Sequence, residues 1–357
     1  MSLRVKLSKR FFAYLIVIFI LAGGLAFFES RLATFVTPIV TPESTQSQPS
    51  GSLMPVETCP SGYILVPGDP KYNTSDFCVM KYDAKCTNTN PKCVTPEGVY
   101  KNNLPGCECQ GNFQVVSTAD SAPITFIPED DGSADSAKVY CQNAGGHLIT
   151  NNEWMTIARN IEQVEANWCN RDGTGCGNPP GTPGKILANG HNDDIPARAL
   201  ISSTDDKPCF DTTSNGSSVC GSKSSQKRTL TLTNGNVIWD LAGNVWTWVD
   251  AKIERRDEPR SIIPGEGNTS WVWAEFQTVP YDANLMPKNP LWNSTQGVGR
   301  IYHYNSVGDT DTTIYTYIRG GNWRHGYDSG AFTVHMQPVP GKTNIDDVGF
   351  RCVTSPK

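Results

Sequence analysis

The chain has 357 residues, with 12 Cys, 32 Gly, 25 Pro, 9 Trp and only 18% charged residues. That length allows one large domain or two ordinary ones with a buried core. A formal net charge of -5 excludes the basic footprint of a nucleic-acid-binding protein.

The first ten residues, MSLRVKLSKR, form a basic stub with Arg4, Lys6, Lys9 and Arg10. FFAYLIVIFILAGGLAFF follows at 11–28 without a charge. As a helix it spans about 27 Å, just enough for a bilayer core. The cations hold the N-terminus in the cytoplasm, so the rest of the chain is expected outside, on a single-pass anchor. Gly24-Leu25-Ala26 is the small-x-small triplet of a cleavable signal peptide, and cleavage would give a secreted chain. Phe27 and Phe28 prolong the apolar run beyond an ordinary signal peptide, so a retained anchor is favoured.

Residues 29–58 are rich in Pro, Ser, Thr and Gln and read as an extended tether. Residues 59–114 carry six cysteines, with strand-like runs at Tyr63–Val66 and Phe77–Tyr82. All the cysteines lie at Cys59 or later and their number is even, which suggests disulfides formed outside the cytoplasm. Zinc is the rival, through Cys86 with Cys93 or Cys107 with Cys109, but no CxxC pair occurs and no histidines cluster there.

A helix is expected from about Ser133, capped by serine or aspartate, with Ala137, Tyr140, Cys141 and Ala144 on one face and Gly145-Gly146 ending it. A second starts at Thr150, with Glu153 at the capping-box position and Trp154, Ile157, Ala158 and Ile161 as its apolar stripe. Beyond Trp168 the pattern is short β runs between turn residues: Thr229–Thr233, Val237–Trp239, Val245–Val249 and Ile314–Arg319. Two helices followed by an irregular, loop-rich β region make the fold class α+β.

Four motifs in order resemble the formylglycine-generating enzyme (sulfatase-modifying factor) family: HLITNNEWMTIARN at 147–160, WDLAGNVWTWVD at 239–250, YIRGGNW at 317–323 and GFRC at 349–352. The resemblance covers roughly residues 115–353 and implies a variant of the C-type lectin fold. Read by themselves, Trp239, Leu241, Val245 and Trp248 are core residues, and Gly243-Asn244 supplies a positive-φ turn. Gly320, Gly321 and Gly349 mark close backbone approaches, with Phe350 buried and Arg351 hydrogen-bonded. The resemblance also permits calcium near Asn244, though relatives often carry Glu where this chain has Thr247. No other cofactor is expected. In the lectin fold the first helix and last strand are neighbours commonly joined by a disulfide, which implies a Cys141–Cys352 bond. The local pairs Cys169 with Cys176 and Cys209 with Cys220 are expected next.

The family's enzymes use two cysteines after the Arg-Gly-Gly motif to bind copper and oxidise a substrate cysteine. Those positions fall here on His325 and Gly330. Without the thiols there is neither a soft-ligand pair nor a nucleophile, so catalysis is not expected. His325 with Asp328 is the remaining acid–base candidate, and His191 near Asp193 and Asp194 a hydrolytic or metal-site candidate; GHNDD at 190–194 reads more simply as an Asx-rich turn.

The segment from Arg319 to Cys352 is similar, more narrowly, to the variable region of target proteins of diversity-generating retroelements. Framework positions agree at Arg319, Gly320, Gly321, Trp323, Gly326, Gly330, Phe332, Pro340, Asn344, Gly349, Phe350 and Arg351. Where such templates carry asparagines, this chain has Arg324, His325, Asp328, His335, Gln337, Pro338, Lys342, Asp346 and Asp347, with Tyr327 beside them. The resemblance implies that these residues bind a ligand. Alternation places Thr333, His335 and Gln337 on one side of a strand and Val334 and Met336 on the other. The expectation is a membrane-tethered extracytoplasmic binder of a protein or surface glycan, with an enzyme of rewired chemistry and a structural envelope protein as rivals.

Overall fold

Valine, isoleucine, tyrosine and tryptophan concentrate in the short runs that become strands, and glycine, asparagine and proline separate them. The structure, a computed structural model, describes residues 58–87, 100–101, 115–212, 220, 226–262, 270–305, 310–341 and 346–357. All of these fall in one compact unit, Val56–Lys357. The expected anchor at 11–28, nearly all of the linker at 29–58, and Lys342 lie outside the described residues. Among the described residues no helix is long and apolar enough to cross a membrane.

In chain order the main elements are β1 (Tyr63–Val66), β2 (Phe77–Met80), α1 (Ala137–Asn143), β3 (His147–Leu148), α2 (Asn151–Ile161) and β4 (Trp246–Glu254). They continue with β5 (Ser270–Ala274), β6 (Ile301–Asn305), β7 (Ile314–Arg319), β8 (Val334–His335), β9 (Val348–Phe350) and β10 (Cys352–Thr354). One sheet runs β1-β2-β10-β3, so the last strand lies between strands from the beginning of the domain. Residues 59–114 and 115–353, which differ in composition, therefore share a sheet. At its margin Thr58 and Lys357 exchange two backbone hydrogen bonds of 3.0 Å. The larger sheet runs β5-β6-β8-β7-β4-β9 and is mixed, with β8 parallel to β6 and β9 parallel to β4. Two helices with mixed sheets give the α+β class that the sequence suggests.

Both helices follow from their caps. Thr150 accepts from the Glu153 backbone N–H at 3.3 Å and Glu153 reaches back to the Thr150 N–H at 2.8 Å, a complete capping box. Trp154, Ile157, Ala158 and Ile161 are all fully buried. In α1 the cap is Ser136, whose side chain accepts from Val139 N–H at 3.3 Å, rather than a residue near Ser133. Ser133 instead closes a tight turn by accepting from the Asp135 N–H. Such a run of Ser and Asp offers several competing caps, and the sequence alone does not rank them.

The strands match the expected runs at Tyr63–Val66, Val237–Trp239 and Ile314–Arg319. The run expected to end at Val249 continues to Glu254 across a register shift between Val249 and Lys252. Gly243 and Asn244 both adopt positive φ, at 72° and 63°, turning the chain into β4. Trp239, Leu241, Val245 and Trp248 are buried beneath it. The Arg351 guanidinium is buried, paired with Asp83 at 2.7 Å and donating to the Met80 and Lys81 carbonyls at 3.2 Å.

Disulfides join Cys59 with Cys78, Cys141 with Cys352, Cys169 with Cys176 and Cys209 with Cys220, and Cys86 is disulfide-bonded too. The Cys141–Cys352 bridge holds α1 against β10 with 5.2 Å between Cα atoms. Its sequence separation is 211, so replacing both by alanine should lower the unfolding free energy by about 5 kcal/mol in the chain-entropy account. Urea denaturation under non-reducing conditions measures this, and a loss smaller than that of removing Cys169–Cys176 would contradict it.

The His147 ring sits 2.8 Å from Glu153, the same carboxylate that completes the capping box. This hydrogen bond raises the His147 pKa, with burial opposing. The stabilisation is then fully present below the ordinary histidine pKa of 6.5 and is lost as pH rises through the raised folded value. Melting temperatures of the wild type and His147→Gln should converge at alkaline pH and separate below neutrality; a constant gap across that range would refute the coupling.

Candidate functional site

Segment 320–332 is held by a tight backbone framework. Gly320 sits at φ 91°, and a Cβ there would lie 2.6 Å from the Leu241 carbonyl oxygen. Trp323 is buried; its N–H donates to the Asn244 carbonyl at 3.1 Å, and its own carbonyl accepts from Asp194 N–H at 2.6 Å. Gly326 N–H donates to the Asn192 carbonyl at 2.8 Å, so the GHNDD turn cradles the segment from outside. His191 is wholly buried, with Nδ1 2.8 Å from Gln226 Oε1 and Nε2 3.0 Å from the Pro196 carbonyl. It braces that turn. Asp193 accepts from Ile195 N–H at 3.0 Å, the Asx turn expected there.

Asn322 is the buried pivot of the segment. Its Oδ1 accepts from the Arg324 N–H at 3.0 Å and faces His325 Nδ1, while its Nδ2 donates to Asp347. Sequence reasoning did not single it out. Beneath the segment Phe332, Val334, Met336 and Phe350 are fully buried.

The candidate ligand-binding residues divide into several settings. Arg324 and Asp346 are exposed and 3.5 Å apart. His325 and His335 lie on aromatic residues of the large sheet. The His335 ring stacks on Tyr302 with centroids 4.4 Å apart, and His325 stands edge-on to Trp246 at 5.2 Å. Trp273 lies within 5.7 Å of His325 and 6.1 Å of His335. Gln337 is exposed just beyond His335. Tyr327 is 56% exposed and carries the Arg171 guanidinium over its ring at 4.1 Å. Asp328 is half-buried and bonded to Arg300 at 3.1 Å. It therefore forms no acid–base pair with His325, whose ring faces Asn322.

Pro338 and Asp347 are buried rather than displayed. The Pro338 carbonyl accepts from Thr316 N–H at 2.8 Å, continuing the pairing of β8 with β7, and Asp347 is taken up by Asn322 and the β4–β9 junction. Thr333 is likewise buried, donating to the Asp328 carbonyl instead of flanking His335 on the surface. Val334 and Met336 are buried while His335 and Gln337 reach the surface, as the alternation expects; Thr333, which precedes the two-residue β8, is the one departure from it.

The aromatic support was not picked out from sequence either. On β5, Trp271 and Trp273 alternate; on β6, Tyr302 and Tyr304 do, and the register pairs Trp271 with Tyr304 and Trp273 with Tyr302. The period-2 aromatic pattern in SWVWA and IYHYN was the available signal.

Neither metal implied by the resemblance fits the residues present. Asn244 is buried, with Oδ1 accepting from Leu200 N–H at 2.8 Å and Nδ2 donating to the Leu200 carbonyl at 3.3 Å, so its amide is committed to the backbone. At the copper position, a Cβ on Gly330 would run into the backbone of Val298 and Gly299, leaving no room for a thiolate beside His325. Among the described residues no group of three or more His, Cys, Asp or Glu side chains is placed to hold a metal.

Burial, with the Arg324 cation adding to it, pushes the His325 pKa down to about 4. A depressed histidine contributes stability that is present above pH 6.5 and is lost as pH falls through about 4. An NMR titration should find the His325 ring neutral throughout the physiological range, and a midpoint near 6.5 would show that it stands clear of the aromatic face.

Comparison with known proteins places the chain. No curated protein matches it. Solved structures of three variants of the Major Tropism Determinant align with it at 13% identity: P3c at a TM-score of 0.34, I1 at 0.33 and U1 at 0.32. Each alignment covers 85% of this chain and 54% of the other, so the chain spans about half the length of those proteins. The model of the sulfatase-modifying factor enzyme 1-like domain matches residues 67–356, and by that match the chain belongs to this family.

Proposed function

We propose that the protein is a membrane-anchored, extracytoplasmic receptor whose C-type-lectin-like domain captures a protein or surface glycan on a diversifiable surface and performs no catalysis. The observation that carries this reading is the division of segment 319–352 into two sets. Phe332, Val334, Met336 and Phe350 are fully buried, whereas Arg324, Tyr327, Gln337 and Asp346 are exposed. Outer residues in such an arrangement can change while the residues that secure the fold stay constant. Arginine, tyrosine and histidine at the rim supply the donors and rigid aromatic area of an adaptable binding surface. The framework shared with diversity-generating retroelement targets supports the same reading.

Against the family's oxidative chemistry stand the missing cysteines and the filled space around Gly330. The disulfides fit an oxidising compartment, and the uncharged run at 11–28 supplies the anchor. The test is a triple variant, Arg324→Ala, Tyr327→Ala and Gln337→Ala. Its stability should change by no more than about 1 kcal/mol, as surface substitutions do. Affinity capture from extracellular material by the immobilised chain should lose the ligands that the wild type retains. Equal capture by both chains, or unfolding of the variant, refutes a rim-based receptor.

A further inference from the structure

The rim residues border a second feature, the aromatic face of the large sheet. Trp271, Trp273, Tyr302, Tyr304 and Tyr315 are each partly exposed. Trp271 lies 5.9 Å from Tyr302, 5.3 Å from Tyr304 and 5.2 Å from Tyr315, and Trp273 lies 5.0 Å from Tyr302. Rings at these separations touch one another, so nothing can be inserted between them. The face is a rigid platform rather than a cage, and its ligand must lie across it.

The polar tips of these five residues are free. Among the described residues, none of the three hydroxyls or two indole N–H groups finds a hydrogen-bond partner. The platform also carries no charge of its own. At one border Arg255 lies over the Tyr304 ring at 4.3 Å and is paired with Asp311 at 2.7 Å. His325 is held neutral at the other border. Among the described residues the aromatic face itself offers a phosphate no cation but the paired Arg255, and a charged peptide would find opposite charges only at the rim, in Arg324 and Asp346.

What remains is a neutral molecule with flat C–H faces and a rim of hydroxyls. We propose that the face formed by Trp271, Trp273, Tyr302, Tyr304 and Tyr315 binds an uncharged oligosaccharide, its sugar rings lying on the aromatic rings and its hydroxyls meeting the free phenol and indole groups. This deepens the receptor reading by naming a ligand class: the rim would select among glycans and the aromatic face would supply common affinity. No ion is required for it.

The experiment titrates the full chain, in the presence of a chelator, with a panel of linear uncharged oligosaccharides of hexose and N-acetylhexosamine, using a sulfated polysaccharide as the charged comparator. Tryptophan fluorescence and calorimetry read binding. At least one neutral oligosaccharide should bind, with affinity falling by about tenfold or more in Trp271→Ala, as for loss of a stacked aromatic anchor. Tyr302→Phe, which keeps the ring and its packing, should weaken binding by a few fold while leaving the melting temperature unchanged, so that a folding defect in the tryptophan variant cannot mimic the result. Absence of binding across the neutral panel, binding of the charged comparator alone, or affinity indifferent to both substitutions overturns the inference. Rim-dependent capture of a protein that Trp271→Ala leaves intact would overturn it too while sparing the receptor reading.

Discussion

The segment that follows β7 depends on one buried cation. The Arg319 guanidinium is wholly enclosed, donating to Asn151 Oδ1 at 2.6 and 2.9 Å, to the Asn284 carbonyl at 3.2 Å and to the Phe332 carbonyl at 3.2 Å. Its partners are uncharged oxygens, and burial lowers its pKa to about 10, which leaves it charged. A cation desolvated in this way tolerates no missing partner, so the first residue of α2, the 284 loop and the far side of the segment are pinned together. The planar fork is what allows one side chain to satisfy three separate pieces of backbone and amide; lysine could not.

From that anchor the chain leaves β7 through two positive-φ glycines, and the segment beyond them is held by backbone hydrogen bonds together with the buried side chains of Asn322 and Trp323. Asn322, Trp323 and Gly326 are each tied to a different loop. Among the outer side chains Gln337 is exposed, whereas His325, Tyr327, Asp328 and His335 are engaged with Asn322, Arg171, Arg300 and Tyr302.

Local signals were legible in the sequence. The capping box at Thr150 and Glu153, the Gly243-Asn244 turn and the apolar stripe of α2 each involve residues within a few positions of one another, where spacing determines geometry. What was not legible depends on strand order. Trp246, Trp273, Tyr302 and His335 meet only because β8 enters between β6 and β7, and no local pattern encodes that insertion. The same holds for Pro338 and Asp347, which were expected at the surface because such templates carry asparagines at their positions. Each is buried by a neighbour more than 20 residues away, Thr316 for one and Asn322 for the other. His191 resembled a catalytic candidate only until its two nitrogens were seen to be taken up by Gln226 and backbone carbonyls.

The reciprocal backbone pair between Thr58 and Lys357 brings the entrance and exit of the domain to one point, and β10 seals them by lying between β2 and β3. A unit with adjoining ends behaves as a cassette. It can be grafted into a surface loop of an unrelated host at little cost in loop-closure entropy, since the host's chain need not stretch to span it. The Cys141–Cys352 bridge locks the exit strand to the interior, so a fusion partner pulling at either end would tug on the seal and leave the platform undisturbed. Such geometry makes the domain a module whose ends can be moved together from one carrier to another.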